Sequence, residues 1–116
     1  MTNDDIMASP DIKKMIADAK YPSRTKQVFN FTLIEMKKKQ LRPTHTQLLV
    51  LANHLSEMVT RSNEHQQLTA VDPKLFDQVS RSAMEIAEKV TNKIGDLAES
   101  EKYVLSIHFE AAKQKA

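Results

Sequence analysis

The chain has 116 residues, 41% hydrophobic and 28% charged, with a formal net charge of +2. This length fits one domain with a modest core, and so small a net charge does not by itself indicate a polyanionic partner. The absence of cysteine excludes disulfides and thiolate metal sites and fits a reducing cytoplasm. No apolar run approaches the about 20 residues that span a bilayer. Asp4 and Asp5 argue against a signal peptide.

The residue types predict helices rather than strands. With one glycine and four prolines the chain has few of the residues that form the turns of β-hairpins, and the helix-favouring residues are abundant. We expect residues 1–22 to form a leader that is mobile over residues 1–9. A short helix opens at Ser9 and Pro10 and runs to about Lys20. The domain itself is predicted to cover residues 23–116.

Two longer helices follow in the predicted domain. Ser23 is the expected cap of a helix over residues 23–40, which supplies many apolar side chains. Pro43 is expected just inside the start of a helix over residues 43–63. Its apolar residues recur at three- and four-residue spacing, which is the amphipathic pattern.

The C-terminal half predicts two more helices after a loop. Asp72 and Pro73 are expected to open a helix that ends near Gly95, a natural terminator. The last helix covers about residues 98–113, with three apolar residues facing inward: Val104, Ile107 and Ala111. The sequence therefore predicts an all-α fold, a compact bundle of about five helices.

Two histidines carry the informative chemistry. On the predicted helices His54 lies at the edge of an apolar stripe, with Arg61 two turns later. His108 lies nearer the middle of its stripe, with Glu101 two turns earlier. A polar ring that faces a core is costly without a partner, which raises the possibility that both rings face one cleft. The alternative is that each is a core histidine bonded to a carbonyl or carboxylate.

Other chemistry is not indicated. The chain has no HxxxH or HExxH pair, His45 points away from His54, and His65 falls in a predicted loop. There is no GxSxG elbow, and one glycine cannot build a phosphate-cradling loop. The sequence therefore predicts no metal, no cofactor and no enzymatic activity.

Two segments resemble the histidine motifs of one family. The segment LANHL at residues 51–55, with Arg61 seven residues after His54, resembles the first motif of the phosphotransferase-system regulation domain (PRD). The segment ESEKYVLSIHFEAA at residues 99–112 resembles the second motif, which ends on His108 and the alanines after it. The resemblance extends over about residues 24–114. The family commonly has aspartate where this chain has Asn53.

The resemblance implies a fold, a function and partners. PRDs are compact helical bundles of bacterial antiterminators and transcription activators, and phosphocarriers phosphorylate their histidines. By this resemblance His108 and His54 accept phosphate from the phosphocarrier protein HPr or a sugar-specific enzyme II, supported by Arg61, Asn53 and Glu101. Phosphorylation then alters the packing of a homodimer. We expect a stand-alone cytoplasmic module that controls carbohydrate-use genes.

The sequence leaves two other functions open. One is a helical interaction module whose histidines are inert core residues. The other is a nucleic-acid binder, because residues 24–42 hold six basic residues and one acid, Glu35. Phe29 and Phe31 lie among core residues rather than on a basic face where bases could stack. Lys37 and the two lysines after it are typical of a solvated helix end, so nucleic acid is disfavoured.

Overall fold

The structure, a computed structural model, describes residues 2–113. They form six α-helices and one 3-10 helix, which in chain order are α1 (Asn3–Ala8), α2 (Pro10–Ala17), α3 (Pro22–Lys38), α4 (His45–Asn63), the 3-10 helix (Pro73–Phe76), α5 (Arg81–Ile94) and α6 (Ser100–Ala111). No strand occurs in this part of the chain. The prediction of an all-α bundle is confirmed, with six α-helices in place of about five.

The N-terminal segment differs most from expectation. A capping box opens α1, in which Thr2 Oγ1 accepts from the Asp5 N–H at 3.1 Å and an Asp5 carboxylate oxygen accepts from the Thr2 N–H at 3.2 Å. Ile6 is buried, and Ile12 and Ile16 of α2 belong to the same core cluster. A mobile leader is therefore wrong for residues 3–8, because a good cap and a buried isoleucine hold them. Met1 lies outside the described residues.

The start of α4 is set by a side chain that the sequence analysis did not select. Pro43 lies before the helix, and Thr44 is its N-cap. Thr44 Oγ1 accepts from the Gln47 N–H at 3.1 Å, while Gln47 Oε1 accepts from the Thr44 N–H at 2.9 Å. This reciprocal pair satisfies two N–H groups that would otherwise lack partners.

Replacing Thr44 with alanine is expected to lower the free energy of unfolding by about 1 kcal/mol, because the capping hydrogen bond is lost. Urea unfolding followed by circular dichroism measures this change. Thr46→Ala is the matched control, since Thr46 is exposed in the same helical turn but is not the cap. Equal losses in both variants would contradict the assignment of the cap.

The segment predicted as one helix over residues 72–95 is two elements. Asp72 caps the 3-10 helix, and Ser80 caps α5 by accepting from the Ala83 N–H at 3.3 Å. Because α5 starts only after Ser80, Leu75 lies outside this helix and not on its buried face, and 76% of its surface is exposed. Gly95 ends α5 with a φ of +77°, a conformation that glycine adopts without strain. The predicted terminator is confirmed.

Helix α6 is rotated relative to the prediction. Its buried apolar face consists of Leu105 and Phe109 and continues at Ala112, while Ile107 and Ala111 are exposed. The inward placement of Ile107 and Ala111 is therefore wrong. Burial at four- and three-residue spacing from residue 105 includes the large Phe109, which the predicted face left outside.

The side chain of Arg24 links the C-terminal ends of α4 and α5. The Arg24 guanidinium donates to Ser62 Oγ, to Asn63 Oδ1 and to the Ile94 carbonyl. These bonds satisfy acceptors near the ends of both helices and fix α4 beside α5. Within residues 2–113 no helix is long and apolar enough to cross a membrane.

Candidate functional site

His54 and His108 lie against each other where α4 meets α6. Their ring centroids are 4.9 Å apart and their planes form an angle of 38°. Each histidine precedes a fully buried apolar side chain, Leu55 in α4 and Phe109 in α6. Packing of these two side chains into the core brings the neighbouring imidazoles together in partly buried positions. The structure thus joins two histidines that are 54 residues apart in the sequence.

The surroundings of this pair favour neutral imidazoles. Burial, followed by the charges of His108 and Arg61, lowers the pKa of His54 from its ordinary value of 6.5 to about 4. Burial also lowers the pKa of His108. Both rings are therefore neutral near pH 7, and each has one nitrogen with a free lone pair. A lone pair is what an imidazole needs to act as a nucleophile.

One ring nitrogen of the pair is buried without a partner. His54 Nε2 makes no hydrogen bond to any residue in the described range, and no nitrogen of His108 is both buried and unpartnered. Leaving a buried polar atom unsatisfied costs about 1–3 kcal/mol. Such atoms are rare in folded proteins, and each calls for an explanation. The cost at His54 is one physical reason to look for a function here.

Arg61 and Glu101 form a buried ion pair beside the histidines. Arg61 Nε donates to Glu101 Oε2 at 2.7 Å, and Arg61 Nη2 donates to Glu101 Oε1 at 2.8 Å. The Glu101 side chain is completely buried, whereas 16% of the Arg61 side chain is exposed. The hydrogen bond to Glu101 raises the pKa of Arg61. This two-bond geometry ties α4 to α6 and holds the guanidinium in a fixed orientation.

Asn53 does not take part in this cluster. Its side chain is exposed, and its Nδ2 donates to Glu57 Oε1 at 3.0 Å. The residue before His54 is thus engaged one turn further along α4 rather than on the imidazole. Support of a phosphate by Asn53 stays a prediction, as do the corresponding roles of Arg61 and Glu101.

The other two histidines lie elsewhere. His45 Nε2 is 2.6 Å from Asp11 Oδ2, and His65 Nδ1 is 2.6 Å from Asp96 Oδ2, with both rings exposed. His65 follows the end of α4 with a φ of +55°, in the predicted loop. Residues 2–113 contain no group of three or more side chains arranged to hold a metal ion.

Two exposed apolar side chains neighbour the two histidines along their helices. Val50 lies one turn before His54, and Ile107 is adjacent to His108; each has 51% of its surface exposed. The signal that could have identified Ile107 is the buried i, i+4 pair Leu105 and Phe109, which places residue 107 on the other side of α6.

The protein is thus a small all-α domain in which two packed helices each contribute one histidine to a facing pair. The chain is similar to the crystal structure of a PRD-containing transcription regulator from Lactobacillus casei ATCC 334. The two are 40% identical, the alignment covers 90% of this chain and 93% of that chain, and the TM-score is 0.86. The chain therefore belongs to the PRD family, which confirms the resemblance carried by its histidine motifs. No family model and no curated protein matches it.

Proposed function

We propose that the chain is a regulatory module that accepts phosphate on His108 and His54. The donor is the phosphocarrier protein HPr or a sugar-specific enzyme II of the phosphotransferase system. The module controls carbohydrate-use genes in the cytoplasm through a homodimer or another protein partner. The observation that carries the proposal is the contact of two neutral imidazoles, 4.9 Å apart, beside a bidentate arginine.

The chemistry requires only an unprotonated ring nitrogen. Its lone pair attacks the phosphorus of the donor's phosphoryl group, a nitrogen–phosphorus bond forms, and the donor's own bond to phosphorus breaks. The electron pair of the broken bond stays on the donor atom. Burial that lowers the pKa of His54 and His108 keeps this lone pair free at neutral pH. We expect His108 to react first, because one nitrogen of His54 is buried.

The regulatory effect follows from charge. A phosphoryl group adds about two negative charges and three acceptor oxygens. The cation near the histidines is Arg61, which is already bound to Glu101. If Arg61 turns to the phosphate, Glu101 becomes an unpaired carboxylate in a fully buried position, which is strongly unfavourable. The contact between α4 and α6 must then rearrange, which biases any interface built on these helices.

Phosphocarrier treatment followed by intact-mass measurement tests the proposal. The wild type is expected to gain the mass of one phosphoryl group first and a second more slowly. His108→Asn should abolish the fast addition, and His54→Asn the slow one. His45→Asn is the matched control, because His45 is exposed and lies outside the cluster. A wild type that gains no phosphate would refute the proposal.

The interaction module with inert histidines is the second candidate function. The exposed Val50, one turn before His54 in α4, and the exposed Ile107 of α6 favour it, since exposed apolar side chains can form protein contacts. The mass measurement separates the two candidates. Under the second candidate the protein binds its partner equally well with or without phosphocarrier treatment.

A further inference from the structure

One nitrogen of the histidine pair has no assigned role in the unphosphorylated chain. His54 Nε2 is buried and makes no hydrogen bond to any residue of the described range. Among residues 2–113 the only other side-chain atom in this condition is Thr25 Oγ1. Depending on the tautomer, an imidazole nitrogen accepts a hydrogen bond or donates one, and in the imidazolium form both nitrogens donate. A group that meets His54 Nε2 must therefore come from outside the described chain.

The charges around His54 cancel each other. The Arg61 guanidinium is bonded twice to the Glu101 carboxylate, at 2.7 and 2.8 Å. Glu57 lies one turn after His54, but it is exposed and its Oε1 accepts from Asn53. Within the described residues, no charge of α2, α3 or α5, the other helices that contact α4, shifts the pKa of His54. The cluster therefore holds no cation that is free to meet an added anion.

A phosphoryl group on His108 would disturb this balance, and the following inference rests on the proposed acceptance of phosphate there. The group adds about two negative charges beside His54, whose ring centroid is 4.9 Å from that of His108. Release of Arg61 would neutralise part of this charge but would leave Glu101 unpaired in a fully buried position. Uptake of a proton by His54 supplies a cation and leaves the pair between Arg61 and Glu101 intact. Its cost is the burial of an imidazolium, which the adjacent anion offsets.

We infer that His54 is the proton-binding partner of phosphorylated His108. Once His108 carries a phosphoryl group, the His54 imidazole binds one proton from solvent, and its Nε2–H donates to a phosphoryl oxygen. The new N–H bond is the only covalent bond that forms in this step, and none breaks. The hydrogen bond satisfies the nitrogen that lacks a partner in the unphosphorylated chain. A bond between an imidazolium and a phosphate is of the strong, charge-assisted kind.

Protonation of His54 has a consequence for the second phosphate. An imidazolium carries a hydrogen on both ring nitrogens and so has no lone pair with which to attack phosphorus. While His108 carries phosphate, His54 is therefore a poor acceptor near neutral pH, and the second addition is slow. Raising the pH removes the proton from His54 and restores its lone pair, so the second addition becomes faster as the pH rises.

The test replaces the phosphoryl group with a carboxylate, so that it depends on no phosphocarrier. In the full chain, His108→Glu places an anion beside His54, and His108→Gln is the neutral control of similar size. The imidazole nitrogen resonances, followed through a pH titration, measure the proton affinity of His54. We expect His54 to bind its proton at least about tenfold more tightly in His108→Glu than in His108→Gln. His45, which is exposed and contacts Asp11 outside the cluster, should titrate alike in both variants.

Chemical phosphorylation gives a second measurement that needs no substitution at position 108. Phosphoramidate donates phosphoryl groups to histidine without a protein donor, and His45→Gln combined with His65→Gln removes the two exposed rings that would also react. With His108 phosphorylated, His54 should again bind its proton at least about tenfold more tightly than in the untreated chain. Equal proton affinities in the Glu and Gln variants would overturn the inference, as would a neutral His54 beside phosphorylated His108. A chain that takes up no phosphate would instead refute the proposed function, which the two variants at position 108 do not test.

Discussion

Arg61→Met is expected to lower the free energy of unfolding by about 3–5 kcal/mol, because it leaves a carboxylate buried without its partner. Glu101 is completely buried and receives both of its strong bonds from Arg61, at 2.7 and 2.8 Å. The loss is larger than the value of the pair itself, since the buried Glu101 carboxylate keeps its desolvation cost without a partner to offset it. Urea unfolding at pH 7 measures the change as a lower midpoint with an unaltered slope.

A double variant separates the cost of the stranded charge from the value of the pair. Arg61→Met combined with Glu101→Leu removes both charges at similar volume and is expected to recover most of the loss. The matched control is Arg81→Met. Arg81 also faces a glutamate, Glu85, at 3.6 Å, but 93% of its side chain is exposed. A surface pair of this kind contributes about 0–1 kcal/mol. A loss for Arg61→Met no larger than for Arg81→Met would contradict the buried pair.

The double variant also informs the proposed function. It keeps both histidines and removes the cation that would meet a phosphoryl group. We expect it to fold and to take up phosphate less completely than the wild type, because the phosphate lacks its charge-assisted partner. Full phosphate uptake by the double variant would show that Arg61 has no supporting role.

The stability of the domain is expected to fall by about 1–2 kcal/mol between pH 7 and pH 5 through His54 alone. Its pKa is lowered to about 4 in the folded chain, chiefly by burial, against an ordinary value of 6.5. The unfolded chain therefore binds more protons across this window, and stability rises with pH. The contribution is complete above about pH 6.5 and is lost as the pH falls towards about 4.

His54→Gln isolates this effect. The variant removes the titrating ring, so its stability should depend less steeply on pH by up to about 1.4 kcal/mol per unit. Carboxylates such as Glu35 and Glu110 have pKa values that are lowered by hydrogen bonds. Their protonation also lowers the stability of the protein as the pH falls, but at a lower pH than His54. They are present in both proteins and cancel in the comparison. Identical pH profiles for wild type and variant would show that His54 is not held neutral by burial.

The pH effect and the proposed chemistry have one cause. Burial of the two rings at the α4–α6 contact penalises the imidazolium form and so keeps a nucleophilic lone pair available at neutral pH. The same burial removes Nε2 of His54 from solvent. His108 therefore combines a neutral ring with better access.

Much of the fold follows from local sequence patterns. The apolar spacing of α4 and Gly95 at the end of α5 act over one or two helical turns, so they can be recognised without the tertiary structure. Where the observed helices differ from the predicted ones, the sequence contains competing local signals. Pro43 and Thr44 are adjacent possible starts for α4, and only the capping box with Gln47 decides between them.

The rotation of α6 and the order of residues 3–8 depended on packing. The sequence offers Ile107 and Phe109 as alternative inward residues, and contact with the other helices selects Phe109. From the sequence alone, Ile6 could have belonged to an unpacked N-terminal segment. It is part of the core because α1 packs against the rest of the bundle.

For the site, the sequence by itself suggested the family and determined the chemical types: two histidines in recognisable motifs, an arginine two turns after one and a glutamate two turns before the other. Helical periodicity placed each group on a face of its own helix, but it contains no information about distances between helices. Only the tertiary structure decided that His54 meets His108 at 4.9 Å and that Arg61 is held by Glu101. Those contacts arise from long-range packing of α4 against α6, which also sets the burial that keeps both imidazoles neutral.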